Sequence, residues 1–243
     1  MSQDLDQTLR HFAEDVKGIY VENLLAIILY GSAASADYVE GRSNINFLVL
    51  LTEVTPDELK KCTGRLPEWH KKGISTPLFL DPPYVRSSVD VFPMEFLDMK
   101  QRYRLLFGQD FLQGIEVDLE HLRFQCEQEL KGKMLKLRQL YLEKSGSEKQ
   151  LATLLAKSIS SFTVHFRALL HLKGISPPHS VDEIFASISR FGLRTEAIRR
   201  VYDLRLGDIA LGPVELNALF MDYLSEIQAA ANFVDKIAVR QPT

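Results

Sequence analysis

The chain has 243 residues, 46% hydrophobic and 25% charged, enough apolar content to bury one large core or two smaller ones. Its formal net charge of −3 gives no global footprint for an anionic membrane or for nucleic acid, which is therefore not an expected partner. Cys62 and Cys126 show neither metal-ligand nor disulfide spacing, no signal-peptide core opens the chain, and no apolar run approaches the ~20 residues that span a bilayer, so a cytoplasmic location is expected.

Residues 5–20 place Leu5, Leu9, Phe12, Val16 and Ile19 at helical spacing, with acids early, and His11 beside the stripe reads as a boundary histidine. Two short Ile-, Leu- and Val-rich runs, 24–30 and 47–51, read as buried strands. Between them come Gly31-Ser32, a small-residue segment, Gly41-Arg42-Ser43 and Asn44-Ile45-Asn46. Strand alternation points Asn44 and Asn46 the same way and turns Ile45 into the core. Thr55 is a helix N-cap followed by Pro56 and two acids, opening a helix to about residue 72 that Gly64 and Pro67 interrupt. Trp69 and His70, near its end, read as packing residues. A third strand is expected at 75–80 and a fourth at 89–99, with Pro93 implying an edge position or a bulge. Residues 101–107, carrying Arg102 and Arg104, read as a solvated helix turn leading to Gly108. From Asp118 onward the period is helical. Helices are expected at 118–144, 147–173, 181–191, 195–206 and from 213 on, with Ser147 and Ser180 as N-caps, and five helices with short connections make a bundle.

The layout of strand, Gly31-Ser32, loop, Gly41-Arg42-Ser43 and Asn44-Ile45-Asn46 resembles the polymerase-β-like nucleotidyltransferase superfamily. The signature of that superfamily is a strand, Gly-Ser, a variable loop, then Ser-Asp-hydrophobic-Asp/Asn on the next strand. Ordinary turn chemistry between two strands is the alternative reading of the same residues. The resemblance implies an α/β domain with a small mixed sheet over 1–115 and an all-α helical bundle over 116–243, as in the aminoglycoside nucleotidyltransferases. It implies that Gly31, Ser32, Arg42 and Ser43 are nucleotide-binding positions. It sets Asn44 and Asn46 where two metal-binding carboxylates are expected, and makes Asp90 or Glu95 the third acid. Glu95 is favoured, because Phe92, Met94 and Phe96 would then form the opposite, buried face of the strand. On the first bundle helix, Glu127 or Glu129 stands where the aminoglycoside enzymes carry an acidic base. The alternative for both is an exposed charge paired with Lys131 or Lys133.

An Asn carbonyl can ligate a hard cation but brings no charge, so Mg²⁺ is expected to bind weakly if at all. Three functions follow. The first is a pseudoenzyme whose cleft holds a nucleotide or other small ligand. The second is an active enzyme moving a nucleotidyl group from a nucleoside triphosphate to a small hydroxylated acceptor, with Glu95, Glu127 or Glu129 as the catalytic acid–base group. The third is an interaction module using the bundle as a homodimer or partner surface. The Asn44/Asn46 pair favours the first.

Overall fold

The computed structural model describes residues 3–35, 38, 43–178 and 180–238. It divides into two compact units, Met1–Val117 and Asp118–Thr243. In the first unit, helix α1 (Gln3–Tyr20) leads into strands β1 (Leu24–Tyr30) and β2 (Asn46–Leu51), with a 3₁₀ turn at Gly31–Ala34 between them. Then come α2 (Pro56–Lys60), α3 (Leu66–Lys71), β3 (Leu78–Leu80), α4 (Pro82–Ser88), α5 (Pro93–Gln101) and β4 (Tyr103–Gly108).

The sheet order is β3-β2-β1-β4, with β1 antiparallel to both neighbours and β2 parallel to β3, a small mixed sheet as the sequence implies. Both faces are covered, which is why β1 and β2 are near-continuous apolar runs rather than alternating ones. One face sets Ile27, Leu29, Phe47 and Val49 against Leu9, Phe12 and Val16 of α1 and Trp69 of α3. The other sets Ala26, Ile28, Leu48 and Leu50 against Val85, Phe96, Met99 and Leu112.

Three expectations for this unit need correction. Residues 89–99 hold no strand: Pro93 is the first residue of α5, where its missing N–H costs nothing, and Met94/Leu97 and Phe96/Met99 are buried at the i, i+3 spacing of a helix. Residues 101–107 are not a helix turn, because Tyr103–Gly108 is strand β4, paired with β1. The helix expected to run to about residue 72 is split into α2 and α3 by a 3₁₀ turn at Thr63–Arg65, since Pro67 cannot donate the bond that would carry α-helix through it. Thr55 caps α2 as expected, its hydroxyl accepting from the Glu58 N–H at 3.2 Å.

The second unit contains α6 (Leu119–Lys144), α7 (Glu148–Leu172), α8 (Val181–Ser189), α9 (Glu196–Leu206) and α10 (Pro213–Asp235). Asp118 caps α6 by accepting from the Glu120 and His121 N–H groups. Ser147 and Ser180 occupy the N-cap positions of α7 and α8, but neither side chain makes a capping bond. The core joins Leu122, Cys126 and Leu130 of α6 to Leu155, Ile159 and Phe162 of α7 and to Phe220, Tyr223 and Ile227 of α10. The buried Glu226 of α10 serves as a cap from another helix, accepting from the Ala197 and Ile198 N–H groups in the first turn of α9. No helix among the described residues is long and apolar enough to cross a membrane.

Candidate functional site

The end of β1, the start of β2 and the end of α5 converge on the Gly31–Ala34 turn. Gly31 sits at φ +79, the left-handed region that glycine alone enters freely, and donates its N–H to the Arg102 carbonyl at 2.9 Å. Ser35 closes the turn, its N–H and hydroxyl both donating to the Ser32 carbonyl at 3.1 Å. The register opposes Tyr30 to Asn46, and a Cβ on Gly31 would lie 3.3 Å from Asn46 Nδ2. Asn46 is thus packed on the Gly-Ser turn. Ile45 is buried as strand alternation requires. Ser43 and the exposed Asn44 border a cleft of about 790 Å³ whose other walls include Thr8 and His11 of α1 and His70 and Lys72 near the end of α3. Arg42 lies outside the described residues.

The carboxylate buried at this end of the sheet is Asp98, whereas Asp90 and Glu95 are exposed. Asp90 is exposed in the turn before α5. Glu95 is exposed in the first turn of α5, and Phe92, expected to share a buried face with Met94 and Phe96, is itself exposed. One helical turn after Glu95, Asp98 pairs with Arg102 at 2.5 Å, and both side chains are largely buried. Burial, and secondarily the Asp98 charge, raises the Tyr30 hydroxyl above its ordinary range. Asp98, Arg102, Gly31 and Asn46 therefore form one connected set. Sequence reasoning missed Asp98. The i, i+4 spacing of Asp98 and Arg102 is the signal that could have found it, and it argues for helix as well.

Glu127 and Glu129 lie on α6 in the second unit, and each is held by two basic side chains. Glu127 meets Arg123 at 2.8 Å and Lys131 at 2.5 Å, and the Lys131 hydrogen bond is the largest reason its carboxyl lies below the usual range. Glu129 meets Lys133 at 2.8 Å and the buried His165 at 3.2 Å. The Nδ1 of His165 also faces the Ser161 carbonyl at 2.7 Å, so each ring nitrogen lies beside an oxygen acceptor. The His165 bond first, then Lys133, lowers the Glu129 carboxyl to about 2 from the ordinary 4.5.

This pairing fixes a pH dependence. A carboxyl lowered on folding contributes stability that is fully present above its unfolded value and is lost as pH falls through the folded one. Glu129→Gln should therefore melt below the wild type near neutral pH, with the gap closing as pH falls from about 4.5 toward 2. Melting curves at half-unit steps check this, and a gap that widens on acidification contradicts it.

Neither a protein-family model nor a curated protein sequence matches the chain. Among solved structures it is similar to spectinomycin adenyltransferase AAD(9) from Enterococcus faecialis, in a crystal structure with ATP and spectinomycin. The TM-score is 0.56 at 11% identity, covering 95% of this chain and 99% of that one. The small mixed sheet and the helices that follow it thus share the fold of that protein. The chain has the polymerase-β-like nucleotidyltransferase fold followed by a helical bundle.

Proposed function

We propose that the first unit holds a nucleotide or another small ligand at the Gly31–Ala34 turn and carries out little or no nucleotidyl transfer. The observation that carries this reading is Asn44, an uncharged amide bordering the cleft at the position where the resemblance expects the first metal-binding carboxylate. Nucleotidyl transfer on this fold uses divalent ions to neutralise the triphosphate and activate the acceptor hydroxyl. The described residues here do not fit those ions. Asn44 and Asn46 bring no charge, the Asp98 carboxylate is taken up by Arg102, and no group of three His, Cys, Asp or Glu among the described residues could hold a metal. The Gly31 N–H is taken by the Arg102 carbonyl, and the Ser32 hydroxyl on the left-handed turn is the donor offered to a phosphate or a similarly polar group. ATP in the AAD(9) crystal supports a nucleotide as the ligand class.

Thermal unfolding with nucleoside triphosphates, with and without Mg²⁺ or Mn²⁺, tests the binding half of this reading. Ligand at about 100 times its dissociation constant should add roughly 2.7 kcal/mol to the wild type. Gly31→Val should lose that gain, because a β-branched residue at positive φ costs about 1–3 kcal/mol and distorts the turn. Equal stabilisation of both proteins overturns the assignment of the turn as the ligand cradle. No stabilisation of the wild type at millimolar nucleotide overturns binding itself.

A further inference from the structure

The α6–α7 hairpin carries a groove that the nucleotidyltransferase reading leaves unused. It has a volume of about 690 Å³ and lies between the C-terminal half of α6 and the N-terminal half of α7. Leu137, Leu140, Leu154 and Phe162 give it an apolar lining. Lysines come from both walls, Lys136 and Lys144 from α6 and Lys149 and Lys157 from α7, and no acidic side chain lines it. Lys133 at one end is already paired with Glu129, whereas the other four make no ion pair among the described residues.

The hairpin sets how these charges are spaced. Residues 145–147 alone connect two long packed helices, so the helices run antiparallel and residues whose offsets from the turn agree to within one position face each other. Lys144 then opposes Lys149, and Lys136 opposes Lys157. At 1.5 Å of rise per residue the two lysine pairs stand about 12 Å apart along the helices, with leucines between them. A single-headed amphiphile carries charge at one end only and leaves one pair unmatched. A helix with a leucine stripe framed by carboxylates about two turns apart matches both pairs and the apolar lining.

We propose that this groove docks an acidic amphipathic helix of a partner protein. The probe is a synthetic peptide of about 16 residues with leucines at i, i+3, i+4 and i+7 and glutamates on both flanks, titrated into the ¹⁵N-labelled full chain. Saturable shift changes confined to α6 and α7 are expected. Binding should weaken about tenfold or more in K136E/K157E, which alters exposed or groove-lining positions with residues of similar helix propensity. A twin peptide with lysine in place of glutamate should not bind. An unchanged helical circular dichroism spectrum confirms that the variant folds. The proposal is overturned by no shifts at millimolar peptide or by equal binding to the variant. It is also overturned if K136E/K157E abolishes self-association of the chain, making a second copy the occupant, or if anionic vesicles perturb α6 and α7 while the peptide does not.

Discussion

Gly108→Ala is expected to unfold the first unit or to cost it at least about 4 kcal/mol, a range reached only when a structural device is broken outright. Gly108 ends β4 at φ +81, opposite Ala26 of β1. A Cβ there would stand 1.9 Å from the Leu25 carbonyl oxygen, 2.8 Å from its carbon and 3.0 Å from the Ala26 Cα. All three are backbone atoms of β1, so no side-chain rotation relieves the clash. Relief requires β4 to leave β1, which also loosens the Gln109 N–H bond to the Leu25 carbonyl. Gly73→Ala is the control. It has φ +76 but nothing within 4 Å of the added methyl, so only the left-handed backbone cost of about 1–2 kcal/mol remains. Urea unfolding followed by Trp69, the single tryptophan in the chain, reports on this unit alone. A Gly108→Ala variant within 1 kcal/mol of Gly73→Ala, on that roughly 1–2 kcal/mol scale, would contradict the close strand approach.

Trp69→Ala should cost about 3–5 kcal/mol, the range for emptying a buried aromatic site. Trp69 is 0% exposed and meets the Phe12 ring edge-on at 4.8 Å, while Phe12 stacks on Phe47 of β2 at 3.7 Å. These rings tie α3, α1 and the sheet into one packed stack. The indole N–H also donates to Asp15 Oδ2 at 3.0 Å, so the alanine leaves both a cavity and a largely buried carboxylate short of a donor. Trp69→Phe separates the two effects, keeping most of the ring contact while losing the bond, and should cost less than half as much. Equilibrium urea unfolding by far-ultraviolet circular dichroism measures both. Equal losses in the two variants would assign the stability to the hydrogen bond and not to the stack.

How legible each part was follows from how local its cause is. The β1 and β2 strands announce themselves as unbroken apolar runs because the sheet is covered on both faces. The bundle helices do so because their stripes persist over many turns. The segment from Val89 to Gly108 is ambiguous in sequence because its apolar residues fit two periods over a short span. Tertiary pairing decided the matter, drawing Tyr103–Gly108 into the sheet and leaving Pro93 to open a helix. The candidate site divides along the same line. Gly31-Ser32 and the Asn44/Asn46 pair were visible in spacing, whereas Asp98 acquires its place only through Arg102, whose carbonyl also accepts the Gly31 N–H. For Glu129 the sequence offers a catalytic acid or a surface charge paired with lysine, and Lys133 is the partner that second reading expects. Its second partner, the buried His165, comes from a different helix and could not be seen from spacing along α6.

Ligand binding at the Gly31 turn with little or no transfer is measured by ³¹P spectroscopy of ATP with stoichiometric protein and Mg²⁺, in the presence of a panel of small hydroxylated acceptors that includes spectinomycin. The expected spectrum shows saturable displacement of the β- and γ-phosphate resonances, lost in Gly31→Val, with the ATP integral unchanged and no pyrophosphate resonance. Growth of pyrophosphate together with a new phosphodiester signal would contradict it and make this chain an active nucleotidyltransferase.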